Sequence, residues 1–156
     1  MDKEAFAQRV TAMQASLYRV AASYLRADAD RLDAVAEAIA KAWSKRDTLR
    51  DESLFSTWLI RILIRECVSI QRRQKRCVPV EWMPEQAVAQ DERVMQMREA
   101  LERLPQRQRM MIVLHHMEGY DVRETARIMG TSKGAVCAGL SRARERLRQM
   151  IGEEIE

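Results

Sequence analysis

Proline and glycine are scarce in this chain, at three and five of 156 residues, and two of the prolines fall within residues 77–92. So few breakers exclude a β-rich, turn-dense fold and favour long helices. Aromatics are only 5% of residues, so a core must be assembled mainly from Leu, Ile, Val, Ala and the ten Met. No run approaches the roughly 18 apolar residues of a membrane span, and the start MDKEAFAQRV lacks a signal peptide's apolar centre. A cytoplasmic location without membrane insertion is the expectation. Cys67, Cys77 and Cys137 are odd in number and widely spaced, forming neither a disulfide framework nor a CxxC pair, and read as reduced structural thiols. No HExxH, GxSxG or phosphate loop is present, so the chain is expected to be no enzyme and to need no cofactor. His115 and His116 have only Glu118 beside them, too few ligands for a metal site.

What the chain does have is charge, 32% of residues, 47% apolar residues, and a net charge of +4. Its length fits one ordinary domain or two small ones. Residues 61–76 carry six basic side chains (Arg61, Arg65, Arg72, Arg73, Lys75, Arg76) against Glu66. Residues 133–148 carry Lys133, Arg142, Arg144, Arg146 and Arg148 against Glu145. Between them, residues 77–102 hold six acids and two arginines. Two basic patches around an acidic connector fit a polyanion gripped at two places, or two solvated helix faces.

Apolar residues recur at helical spacing. Leu17, Tyr18, Ala21, Tyr24 and Leu25 mark one helix. Leu32, Val35, Ile39 and Ala42/Trp43 mark a second. Phe55, Trp58/Leu59, Ile62/Leu63 and Ile70 mark a third, entered through Asp51 and Ser53 as caps. These build a helical domain over 5–76, followed by a flexible linker at 77–93 and a second helical domain over 94–152, an all-α chain in two small units. In the second domain Val94, Met97, Leu101 and Leu104 resume the period, and Pro105 suits the first turn of the next helix. Residues 119–148, GYDVRETARIMGTSKGAVCAGLSRARERLR, carry the most information. Asp121 can cap a helix with Glu124 three residues on, Ala126 permits a close crossing, Gly130 permits a turn, Ser132 caps a second helix and Val136 anchors it. Those offsets are those of a helix-turn-helix whose second helix enters the major groove, or of a helical hairpin with a structural role alone, and the basic run that follows favours DNA binding.

The stretch ALERLPQRQRMMIVLHHMEGYDVRETARIMGTSKGAVCAGLSRARERLRQM resembles region 4 of bacterial sigma-70-type factors of the extracytoplasmic-function (ECF) group. LYRVAASYLRADADRLDAVAEAIAKAW and then SLFSTWLIRILIRECVSIQRRQKR resemble their region 2. The likeness runs through nearly the whole chain in the right order. It implies a chain that binds core RNA polymerase, through the β′ clamp helices and the β flap, that binds promoter DNA, and that is held by an anti-sigma factor. By the same resemblance, polymerase docking falls to Asp30, Asp33, Val35, Glu37, Ile39 and Trp43, where acids spaced three and four apart share a helical face. It assigns minus-10 recognition and melting to Trp58, Arg61, Arg65, Ser69, Arg72, Arg73, Lys75 and Arg76. Trp58 is either a stacking platform or core. Minus-35 recognition falls, again by resemblance, to Ser132, Lys133, Gly134, Ala135, Cys137, Ala138, Arg142 and Arg144.

The chain departs from the family pattern at Ala36 (usually Gln), at Arg65 and Ser69 (commonly Asn and Asp), and at Cys137, Ala138 and Gly139 (usually Lys, Ser, Arg). The last departure removes two cations, and with them two expected phosphate contacts at about 0.9 of salt slope each. A divergent accessory that docks on polymerase but reads promoters weakly, and a stand-alone helix-turn-helix regulator, are the alternatives.

Overall fold

The computed structural model describes residues 1–76 and 92–155, and all its regular structure there is helical. Contacts divide the chain into two compact units, Met1–Met83 and Pro84–Glu156. The first holds α1 (Lys3–Tyr24), α2 (Asp28–Ser44) and α3 (Phe55–Arg76). The second holds α4 (Glu92–Arg103), α5 (Gln106–Ile112), a π-helical turn at Val113–Met117, α6 (Val122–Met129) and α7 (Lys133–Ile155). The linker expected at 77–93 lies outside the described residues up to 91, and its last two residues open α4.

Helix α1 begins far upstream of its Leu17 to Leu25 stripe. The Asp2 carboxylate accepts from the Ala5 amide at 2.8 Å, satisfying one of the free first-turn donors, and Phe6 and Val10 extend the buried face. The second helix departs from the sequence expectation in a way that matters for function. Its buried side chains are Ala34, Ala38 and Ala42, spaced by four, whereas Leu32 is 55% exposed and Val35, Ile39 and Trp43 are only half-buried. Alanine at the crossing lets α1 and α3 pack closely against α2, which turns its larger apolar residues outward. The periodicity locates the helix; the alanine repeat forms its inner face and leaves Val35, Ile39 and Trp43, the residues that the resemblance assigns to docking, half-buried. Helix α3 buries Phe55, Leu59, Ile60, Ile62, Leu63, Cys67 and Ile70, and is entered, as expected, through Asp51, whose carboxylate accepts from the Ser53 amide at 3.0 Å.

In the second unit Leu104, Met111, Ile112, Ala126, Val136, Leu140 and Ala143 form one core. Pro105 precedes α5 as its fixed φ favours. The helix-turn-helix forms as its residues dictate. Asp121 accepts from the Glu124 amide at 2.7 Å, Gly130 ends α6 with φ +65°, a left-handed cap that glycine adopts without strain, and Ser132 Oγ accepts from the Ala135 amide at 3.1 Å. The guanidinium of Arg107 on α5 donates to the Thr131 hydroxyl at 2.7 Å, bracing the turn. The π-helical turn between α5 and α6 has no signature in the apolar pattern.

Candidate nucleic-acid and protein-binding surfaces

Two adjoining strips cover the outer side of α2. Leu32, Val35, Ala36, Ile39 and Trp43 succeed one another at helical spacing as an apolar strip, and Asp33 and Glu37 lie exposed beside it. Asp30 is half-buried and accepts from Gln74 Nε2 of α3 at 2.6 Å, so its carboxylate is shared with the neighbouring helix. Trp43 is bounded on one side by the Arg46 guanidinium, 3.7 Å above its ring, and on another by Phe6, edge-on at 5.1 Å. Leu32 is not among the residues that the resemblance assigns to docking; the signal that places it on this surface is the buried Ala34, Ala38, Ala42 repeat.

Helix α3 presents a basic face. Arg61, Arg65, Ser69, Arg72, Arg73 and Lys75 are all exposed, and every one except Arg73, which sits at the edge, falls within about a third of the helix circumference. The Arg76 side chain lies outside the described residues. Glu66, the acid that interrupts this run in the sequence, points inward. It is 8% exposed and accepts from the Lys41 ammonium of α2, which holds that lysine above its ordinary range. The outward charge of α3 is therefore basic throughout its described side chains. Trp58 is half-buried, 5.9 Å from Phe55, and stands at the end of a cluster of Phe6, Trp43 and Phe55, so it is part of the packing with one side left open.

On α7 the buried side is Val136, Leu140 and Ala143. Ser132, Lys133, Gly134, Cys137, Ala138, Arg142 and Arg144 are exposed and Ala135 is half-buried, so the candidate set shares the outer surface of one helix and its cap. Gly139 does not belong to that surface. It is buried, and a Cβ built on it would overlap Met111 Sδ and lie 2.9 Å from Met111 Cε. The expectation that two phosphate contacts are lost at 137–139 is corrected by this packing: position 139 faces the core, and only 137 of the two sites usually cationic stands outside. Cys137 is exposed, whereas burial pushes the Cys67 thiol up to about 12, an inert protonated group. Among the described residues no group of three or more His, Cys, Asp or Glu is placed to hold a metal. None of their helices is long and apolar enough to cross a membrane.

Residues 9–77 match the family profile of Sigma-70 region 2, and residues 95–147 that of Sigma-70 region 4. The ECF RNA polymerase sigma factor SigM of Mycobacterium tuberculosis is 33% identical over 97% of this chain and 79% of its own. The chain belongs to the ECF sigma factors. RNA polymerase sigma factor SigV of Bacillus subtilis is 30% identical over 93% of this sigma factor and 90% of its own length. The sigma factor RpoE of Bartonella quintana, solved with the anti-sigma factor NepR, matches 96% of this chain and 98% of its own at TM-score 0.80 and 27% identity. CnrH, solved with the cytosolic domain of CnrY, matches 97% of this chain and 90% of its own at TM-score 0.77 and 25% identity.

Membership gives the departures a physical reading. In this sigma factor Gly139 and Met111 are complementary, the thioether filling the volume that a side chain at 139 would occupy. Ala36, Arg65 and Ser69 are exposed, so these departures alter the outward surface and leave the packing alone.

Proposed function

We propose that this ECF sigma factor directs core RNA polymerase to its promoters by dividing the work between its two units, acting in the cytoplasm by binding alone and catalysing no reaction itself. The N-terminal unit, residues 5–76 in the domain reading, docks on polymerase through the α2 surface. Leu32, Val35, Ile39 and Trp43 supply apolar contact, and Asp33 and Glu37, with Asp30 at the margin, meet a basic partner. The same unit opens the minus-10 element with the basic face of α3, where Trp58, Arg61, Arg65, Ser69, Arg72, Arg73, Lys75 and Arg76 are the contact set. Holding a base out of the stack costs a few kcal/mol, which phosphate contacts along that face offset. The C-terminal unit, residues 94–152, reads the minus-35 element through Ser132 to Arg144, with the first turns of α7 in the major groove. The observation that carries this division is the inward turn of Glu66, which leaves the described side chains of α3 basic on the outside. An anti-sigma protein is the expected regulator, because the neighbour from Bartonella quintana was solved with one.

The DNA-contacting part is tested by salt titration. Arg142 is exposed on α7, and Arg142→Ala is expected to lower the slope of log affinity against log salt for promoter duplex by about 0.9, one phosphate contact. An unchanged slope would remove Arg142 from the interface.

A further inference from the structure

The π-helical turn of the C-terminal unit carries two histidines that promoter reading by α7 leaves unused. Their rings meet edge to face with centroids 4.8 Å apart. His115 is tethered, its Nδ1 donating to the Tyr120 carbonyl at 2.8 Å. His116 is exposed and turns Nε2 toward Arg144 Nη1 of α7 at 3.5 Å. A guanidinium can only donate, so His116 in this contact is neutral and accepts. The π-helical turn, which closes the helix after α5, brings an imidazole to an arginine 28 residues away in sequence. Lys133, Cys137 and Arg148 lie eleven, seven and four residues from Arg144 and so share its side of α7, making the pair continuous with the basic strip of the DNA-binding surface.

We propose that His116 and Arg144 form a two-residue cradle for a phosphate of the duplex DNA backbone, and that seating the phosphate draws one proton from solvent onto His116. The inference rests on the region 4 reading and adds to it a contact outside α7 and a proton linkage. In the free protein the imidazole Nε2 accepts from Arg144. The arriving phosphate oxygen takes over that donor and needs a second, which His116 provides once protonated at Nε2. No bond to phosphorus forms or breaks. Burial, then His115, then Arg144 hold the free His116 below the ordinary histidine range, and of the described residues those whose charge acts on it are Arg144 from α7 and His115 on its own segment. An anion in the cradle opposes both cationic influences and favours the protonated ring.

The test uses the full chain and a labelled 20-base-pair duplex of random sequence, with affinity read by fluorescence anisotropy at constant ionic strength. Between pH 7.5 and 6.0 the parent chain is expected to tighten by roughly three- to tenfold, since one pKa unit of linkage corresponds to about tenfold. His116→Gln keeps an acceptor but cannot titrate, so its affinity should stay flat over that range. His115→Gln should keep the parent's dependence. The His116 ring resonance, tracked by NMR, should titrate at higher pH with duplex bound than without. A pH dependence in His116→Gln equal to the parent's, or an unmoved His116 midpoint, overturns the cradle while leaving region 4 binding intact. No duplex binding at all overturns the region 4 reading and the cradle together.

Discussion

Gly139→Arg, which restores the residue usual in the family, is expected to destabilise the C-terminal unit by about 1–3 kcal/mol, the range that overpacking costs, and so to weaken minus-35 binding. The reason is local. Met111 is 2% exposed, sits in the core with Leu104, Val136 and Leu140, and already occupies the place of a side chain at 139, with its Sδ overlapping the position a Cβ would take. The clash is with the flexible end of the Met111 side chain, so the thioether must move within the cluster of Leu104, Val136 and Leu140 to admit a new side chain. Gly139→Ala isolates the effect. Removing glycine from a helix interior gains about 1 kcal/mol, overpacking costs about 1–3 kcal/mol, and the net expectation is a loss of up to about 2 kcal/mol. For a unit this small that corresponds to roughly 4–8 °C of melting temperature per kcal/mol. Met111→Ala vacates the space, so the double variant should be less destabilised than the sum of the two single ones, by about 1 kcal/mol or more. Thermal denaturation of the four proteins measures this, and strictly additive losses would refute the complementarity of Gly139 and Met111.

Leu32→Asp carries the second large effect, this time on binding. Leu32 is 55% exposed, so replacing it should leave the melting temperature of the protein within a degree or two. In the complex the same position would sit at the end of the α2 apolar strip against polymerase, and a carboxylate there would be desolvated without a partner. Leaving a charged group desolvated without a partner costs about 2 kcal/mol or more, so affinity for core polymerase should fall roughly 30-fold. Affinity within twofold of the parent chain, measured by competition binding, would take Leu32 out of the interface and restrict docking to the acidic side of the helix.

Both predictions come from places where the sequence alone points elsewhere. Apolar spacing locates α2 and α3, and the Asp121, Gly130, Ser132 and Val136 offsets locate the helix-turn-helix, because caps and a left-handed glycine are local chemistry that a sequence displays directly. Which face of α2 is inside is not local. It depends on how closely α1 and α3 approach, and there the small size of Ala34, Ala38 and Ala42 outweighs the greater hydrophobicity of Leu32 and Ile39. Gly139 reads in sequence as a lost cation, and with it a lost phosphate contact, in a DNA-binding helix. Only the three-dimensional approach of Met111 turns it into a packing position, and that removes one of the departures that favour a weakly reading accessory protein. The inward turn of Glu66 is of the same kind. Its charge lowers the local sum in the sequence, yet Lys41, 25 residues away, removes it from the outer face. The π-helical turn at Val113–Met117 leaves no trace in apolar periodicity, so the approach of His116 to Arg144 is invisible from the sequence.

Promoter-directed initiation is tested most directly by combining the purified chain with bacterial core RNA polymerase and a library of fragmented bacterial DNA, and sequencing the 5′ ends of the transcripts. Core polymerase alone is the control, at low and moderate salt. A working sigma factor is expected to give discrete start sites that appear only with the chain and share upstream sequence elements. Stable association with core polymerase that yields no new start sites, or no association under any salt condition, would contradict that role.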